Sequence, residues 1–176
     1  MVLRFITKAA ALLIAAIILA IAVGSALAGH PDWHSVGIYT GCGLLQRCSY
    51  SFYHASLLHA AVNLWCFLSV LFLYDVSPAR LATAFGIAVF TPPLVLVSTP
   101  TVGLSAVCFA LHGIVAFQVR RKIYWQSCIA LYILIGFLFP AANGAIHLYS
   151  YVAGLIVGLL NAPLPCRKLS GKSSRI

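Results

Sequence analysis

Long apolar runs separated by short polar or proline-bearing breaks dominate the chain. They cover residues 5–28, 54–75, 79–99, 103–119, 122–140 and 144–162. Each approaches the roughly 20 apolar residues that a helix needs to cross a bilayer. Ser77-Pro78, Thr99-Pro100, Phe139-Pro140 and the pair Pro163 and Pro165 punctuate the runs, because proline cannot continue a helix. Pro92-Pro93 lies inside the third run and predicts a kink there. The pattern predicts an all-α membrane protein, a six-transmembrane-helix bundle forming one domain over residues 1–165, followed by a short tail over 166–176.

Composition strengthens this expectation. Of 176 residues 62% are hydrophobic and 7% charged, and the mean hydropathy of +1.04 argues against a water-soluble fold. The formal charge of +9 does not indicate nucleic acid, since the basic residues are dispersed between apolar runs. Arg4, Lys8, Arg80, Arg120, Arg121, Lys122 and the tail residues Arg167, Lys168, Lys172 and Arg175 all fall on one side of the predicted bundle, with Arg47 alone on the other. By the positive-inside rule both termini are then cytoplasmic. The basic tail suits contact with anionic lipid. A rival reading of the start is a signal peptide ending at Ala26-Leu27-Ala28, but its apolar stretch is longer than usual. The six cysteines lack the close pairing of a zinc or redox motif, and only Cys42 and Cys48 share a loop in which a disulfide could form.

Polar side chains inside apolar runs are costly and so point to function. The set is His54, His59, Asn63, Ser105, His112 and His147. Counted at 1.5 Å per residue from the cytoplasmic ends of spans two, four and six, His59, Ser105 and His147 reach one level about 22–24 Å up. Asn63 follows His59 by one turn and shares its face. Ser105 as nucleophile and His147 as general base form a dyad. His59, Asn63 and the backbone N–H of Ser105 are oxyanion donors. No metal or other cofactor is expected.

Three segments carry a family resemblance over nearly the whole chain. HASLLHAAVN places His54, His59 and Asn63 in a His-x4-His-x3-Asn pattern; GLSAVCFALHG carries a Gly-x-Ser pattern with Gly103 and Ser105; AIHLYSYVAGLIVG carries His147. Together they resemble the rhomboid intramembrane serine proteases. The resemblance implies a serine endopeptidase that cleaves in or near transmembrane segments of membrane-protein substrates. It also implies a multi-pass protein, as in a bacterial inner membrane, whose site opens to the extracytoplasmic side. It places Phe109 against the catalytic imidazole and Ser150, Gly154 and Gly158 along a close helix contact. Ala106 and Ser150 stand where the family has glycine, and Gln46-Arg47 where it has a Trp-Arg pair.

Plainer readings accompany these. Ser105 could be a helix-packing serine, His59 and His147 could ligate haem or a metal, and His54 holds the first loop. His112 is expected to be a buried hydrogen-bonding histidine. Trp125, Phe137 and Phe139 are expected to be interfacial anchors on a fifth span that gates substrate entry. A catalytically silent relative that binds transmembrane clients is the rival function, and a transporter lacks the intramembrane acid it would need.

Overall fold

The computed structural model describes residues 2–94, 97–138 and 142–161. Phe139-Pro140, Pro163, Pro165 and the tail 166–176 lie outside the described residues. Among the described residues eight α-helices follow one another: α1 (Val2–Ala28), α2 (Trp33–Val36), α3 (Leu44–Ser49), α4 (Leu57–Leu73), α5 (Pro78–Phe90), α6 (Ser105–Val115), α7 (Lys122–Leu138) and α8 (Gly144–Leu160). Single 3-10 turns, Tyr50–Phe52 and Pro92–Leu94, follow α3 and α5.

The six-span expectation is corrected by helix length. Among the described residues only α1, with 27 residues, is long and apolar enough to cross a membrane. A second candidate arises only if residues Leu44–Phe52 and α4, bent by 88° at the break, are counted as one span. The 13 residues of α5 and 11 of α6 reach only about 20 and 16 Å, against a hydrocarbon core of about 30 Å. α7 and α8 have 17 residues each, about 25 Å. The multi-pass membrane location and the bilayer partnership derived from six spans fall with them.

Local chemistry explains the shorter elements. Ser56 caps α4 by accepting from the His59 N–H at 3.1 Å, so His54 lies in the loop before the helix rather than inside it. Ser77 caps α5 with Pro78 in its first turn. Pro92-Pro93 ends that helix instead of kinking it, since the region continues as a 3-10 turn. Asn143 caps α8 through the Ile146 N–H at 3.1 Å. At the start of α6, Gly103 has φ +127°, which breaks the helical path two residues before Ser105.

α6 is the centre of the fold. Eight of its eleven residues are buried, among them Val107, Leu111 and Val115. It packs on α4, α5 and most closely on α8. There a Cβ at Gly154 would run into the carbonyl of Ala110, and one at Gly113 would lie 2.5 Å from the Tyr151 carbonyl. Glycines at this crossing let two backbones touch. Outward faces of α1, α4 and α7 carry exposed apolar side chains such as Leu12, Trp65, Ile123 and Leu134. An exposed salt bridge from Arg4 to Asp75, 2.7 Å, ties the start of α1 to the end of α4. The loop ahead of α6 is tied by an antiparallel bridge between Ile38 and Thr101 and by a bond from the Thr40 N–H to the Val97 carbonyl.

Candidate ligand site at the start of α6

The first turns of α4, α6 and α8 supply His59, Ser105 and His147, and the loop before α4 supplies His54. His54 is 2% exposed, and its Nε2 accepts the Leu104 N–H at 3.3 Å. The adjacent Gly103 N–H goes to the Tyr50 carbonyl at 3.0 Å. The helix ladder begins with the Cys108 N–H on the Leu104 carbonyl. The N–H groups of Ser105, Ala106 and Val107 therefore have no acceptor among the described residues, and Leu104, the residue before the helix, has no side-chain oxygen to cap them.

Gly103 forms the floor beside these amides. A Cβ there would stand 2.9 Å from His59 Nε2 and 3.8 Å from Asn63 Nδ2. Asn63 is 6% exposed and donates to the His59 carbonyl at 3.0 Å, which leaves its second amide hydrogen free. The His54 and His59 rings meet edge to face at 5.0 Å. His147 stacks on Phe109 at 4.3 Å, and its Nδ1 is buried without a hydrogen-bond partner, facing the backbone of Gly136 on α7.

The electrostatics favour neutral rings. Burial, with the nearby His59, pulls both His54 and His147 down to about 4, and burial also lowers His59. No carboxylate offsets this, because the chain's two acids are engaged elsewhere: Asp32 caps α2 and Asp75 pairs with Arg4.

The expected Ser–His dyad is corrected here. Among the described residues no hydrogen bond joins Ser105 to His147, and the serine hydroxyl bonds to no protein group. A serine nucleophile needs its base within hydrogen-bond reach, so the serine endopeptidase assignment and its transmembrane-protein substrates lose the pairing they rested on. The silent, client-binding alternative falls with the multi-span scaffold it required. Among the described residues no group of three or more His, Cys, Asp or Glu side chains is arranged to hold a metal ion.

The other predicted residues are placed as follows. Ser150 is fully buried, with its hydroxyl 3.4 Å from that of Thr91, while Gly154, on α8, packs against the Ala110 backbone of α6 below the site. His112 stacks on Trp125 at 5.1 Å, so Trp125 packs inward instead of serving as an interfacial anchor. Phe137 is largely exposed and lies against Gly144. Cys42 and Cys48 are free thiols. Sequence reading missed Tyr50, whose hydroxyl donates to the Ala88 carbonyl at 3.0 Å while its own carbonyl holds Gly103. No motif marked it; only its place between two apolar runs hinted at an interior aromatic. No protein-family model, curated protein or solved structure matches the chain.

Proposed function

We propose that the start of α6 is a binding site for the carbonyl or carboxylate group of a small organic ligand. The carrying observation is the row of unpartnered amides at Ser105, Ala106 and Val107, bordered by the buried Asn63 amide and the left-handed Gly103. Amides at a helix N-terminus attract an oxygen acceptor through their N–H groups and the helix dipole. Asn63 adds a side-chain donor, His59 a ring nitrogen, and the absence of a side chain at Gly103 leaves room for the bound oxygen. The Ser105 hydroxyl supplements the backbone donors as a rotatable partner.

We also propose kinship with the rhomboid family, apart from its six-span fold. Its support is that the three motif-bearing segments fall on α4, α6 and α8, with α6 packed against both others. That kinship brings no activity with it.

The test is titration of the protein, kept in mild detergent because of its apolar exterior, with butyrate, butyramide and butanol, following the His59 and His147 ring resonances. Butyrate and butyramide are expected to shift the His59 signal, and butanol is not. Asn63→Ala should weaken binding about 5-fold, the worth of one hydrogen bond of ~1 kcal/mol. Gly103→Ala should weaken it by about 10-fold or more, by filling the floor. Equal responses to butanol, or wild-type affinity in both variants, would sink the reading. Ser105-dependent breakdown of an ester probe would replace binding with chemistry.

A further inference from the structure

Below the ligand site, α4 and α6 bring together a second cluster that the binding reading does not use. His112 Nδ1 lies 2.7 Å from the Cys108 carbonyl, which can only accept, so Nδ1 carries the proton. Nε2 is then the basic nitrogen, and it faces the Cys66 thiol at 3.7 Å. Trp125 stacked on the ring at 5.1 Å fixes this orientation. Cys66 stands three residues after Asn63 on α4, in the turn that the Cys108 thiol faces across the helix interface. Cys108 also directs its thiol at the Asn63 carbonyl, 3.5 Å away, in the helix that lines the ligand site.

A thiol with an oriented imidazole on one side and a second thiol on the other has the parts of a peroxide-oxidised dithiol. We propose that Cys66 is a peroxide-reactive cysteine, resolved by Cys108 into a disulfide between α4 and α6. His112 Nε2 takes the Cys66 proton, and the thiolate sulfur attacks one oxygen of hydrogen peroxide. The O–O bond breaks, Cys66 becomes a sulfenic acid, and the departing hydroxide takes the proton from His112 and leaves as water. The Cys108 sulfur then attacks the Cys66 sulfur, the S–OH bond breaks, and a second water leaves with the Cys108 proton. Two thiols and one peroxide thus yield one disulfide and two waters, and an added dithiol reverses the step. The pair's polarisation agrees: contact with Cys108 and His112 holds Cys66 down to about 5, while contact with Cys66 holds His112 up despite its burial. Disulfide formation draws the Cys108 sulfur away from Asn63. The inference does not depend on the ligand reading.

The experiment exposes the protein in mild detergent to stoichiometric hydrogen peroxide, alkylates residual thiols, and maps the peptides by mass spectrometry. The expected product is the Cys66–Cys108 cross-linked peptide, formed at least about 10-fold more slowly in His112→Asn, which keeps a donor near the Nδ1 position but removes the base. In Cys108→Ser the reaction should stop at a Cys66 sulfenic acid that dimedone traps. The proposal is overturned if the exposed Cys48 oxidises while Cys66 stays alkylatable, or if His112→Asn reacts at the wild-type rate. It is likewise overturned if Cys108→Ser yields no dimedone adduct at Cys66. That arm keeps the wild-type base, so it remains decisive even where His112→Asn fails to fold.

Discussion

The two helices that flank α8 are held in opposite ways. α6 meets α8 backbone to backbone through Gly113, Gly154 and Gly158, and most of its surface is buried. α7 buries only Ile129, Ile133 and Gly136 and turns the rest of its 17 residues outward or to partial cover. Among the described residues its ties to α8 are a small apolar cluster of Ile129 and Ile133 with Tyr151 and Leu155, the Tyr151 hydroxyl donating to Gln126, Gly136 beside His147, and Phe137 over Gly144. Close packing makes α6 a rigid mount for the amides of the candidate site, because a well-filled interior forfeits dispersion contacts with any displacement. α7 is the part that can move at low cost, since few buried contacts oppose it.

The largest expected effect breaks the rigid side. Gly154→Val places a branched side chain against the Ala110 backbone, where nothing flexible can yield. We expect a loss of about 3 kcal/mol or more, measured by thermal unfolding followed through helical circular dichroism in detergent. Unchanged stability would show that the α6–α8 seam is looser than its glycines imply.

Acidification should act next, in part at the α7 side. His147 is neutral in the fold with its titration lowered to about 4, whereas an unfolded histidine titrates near 6.5. Between those values the unfolded chain binds the extra proton, so stability is full above about pH 6.5, falls as pH drops toward 4, and levels off below. His54, lowered to about 4 beside the same His59, contributes with the same sign. A pH series on wild type and His147→Gln is expected to show a shallower decline in the variant. Parallel curves would remove His147 as a source of the effect.

The smallest effect tests the α7 tie alone. Tyr151→Phe removes one part-buried hydrogen bond to Gln126 and should cost about 1 kcal/mol or less. Hydrogen exchange in α7 should rise while α6 stays protected. Equal loosening of both helices would erase the contrast between them.

The same contrast explains what was legible beforehand. Helix positions followed from apolar runs and their proline breaks, and α7 and α8 begin where those runs begin. Helix ends did not follow, because apolar composition continues through Pro92-Pro93 and past Val115 while the backbone does not. Length is what separates a spanning helix from a shorter one, and the six-span reading failed there. In the site, His59, Gly103, Phe109 and His147 stood out through motif spacing. The bond from the Leu104 N–H to His54 did not, since it joins a loop to a helix start fifty residues away. Nor did the missing Ser105–His147 hydrogen bond, which depends on side-chain directions that spacing leaves undetermined.

The pairing of Ile38 with Thr101 bears on how the molecule assembles. It joins two loops far apart in the chain, with α3, α4 and α5 enclosed between them. Closing so long a loop costs entropy before any contact is gained. The amides of α6 should therefore acquire their final setting late in folding, after α4 and α5 have packed, making this corner the last to form and the first to open.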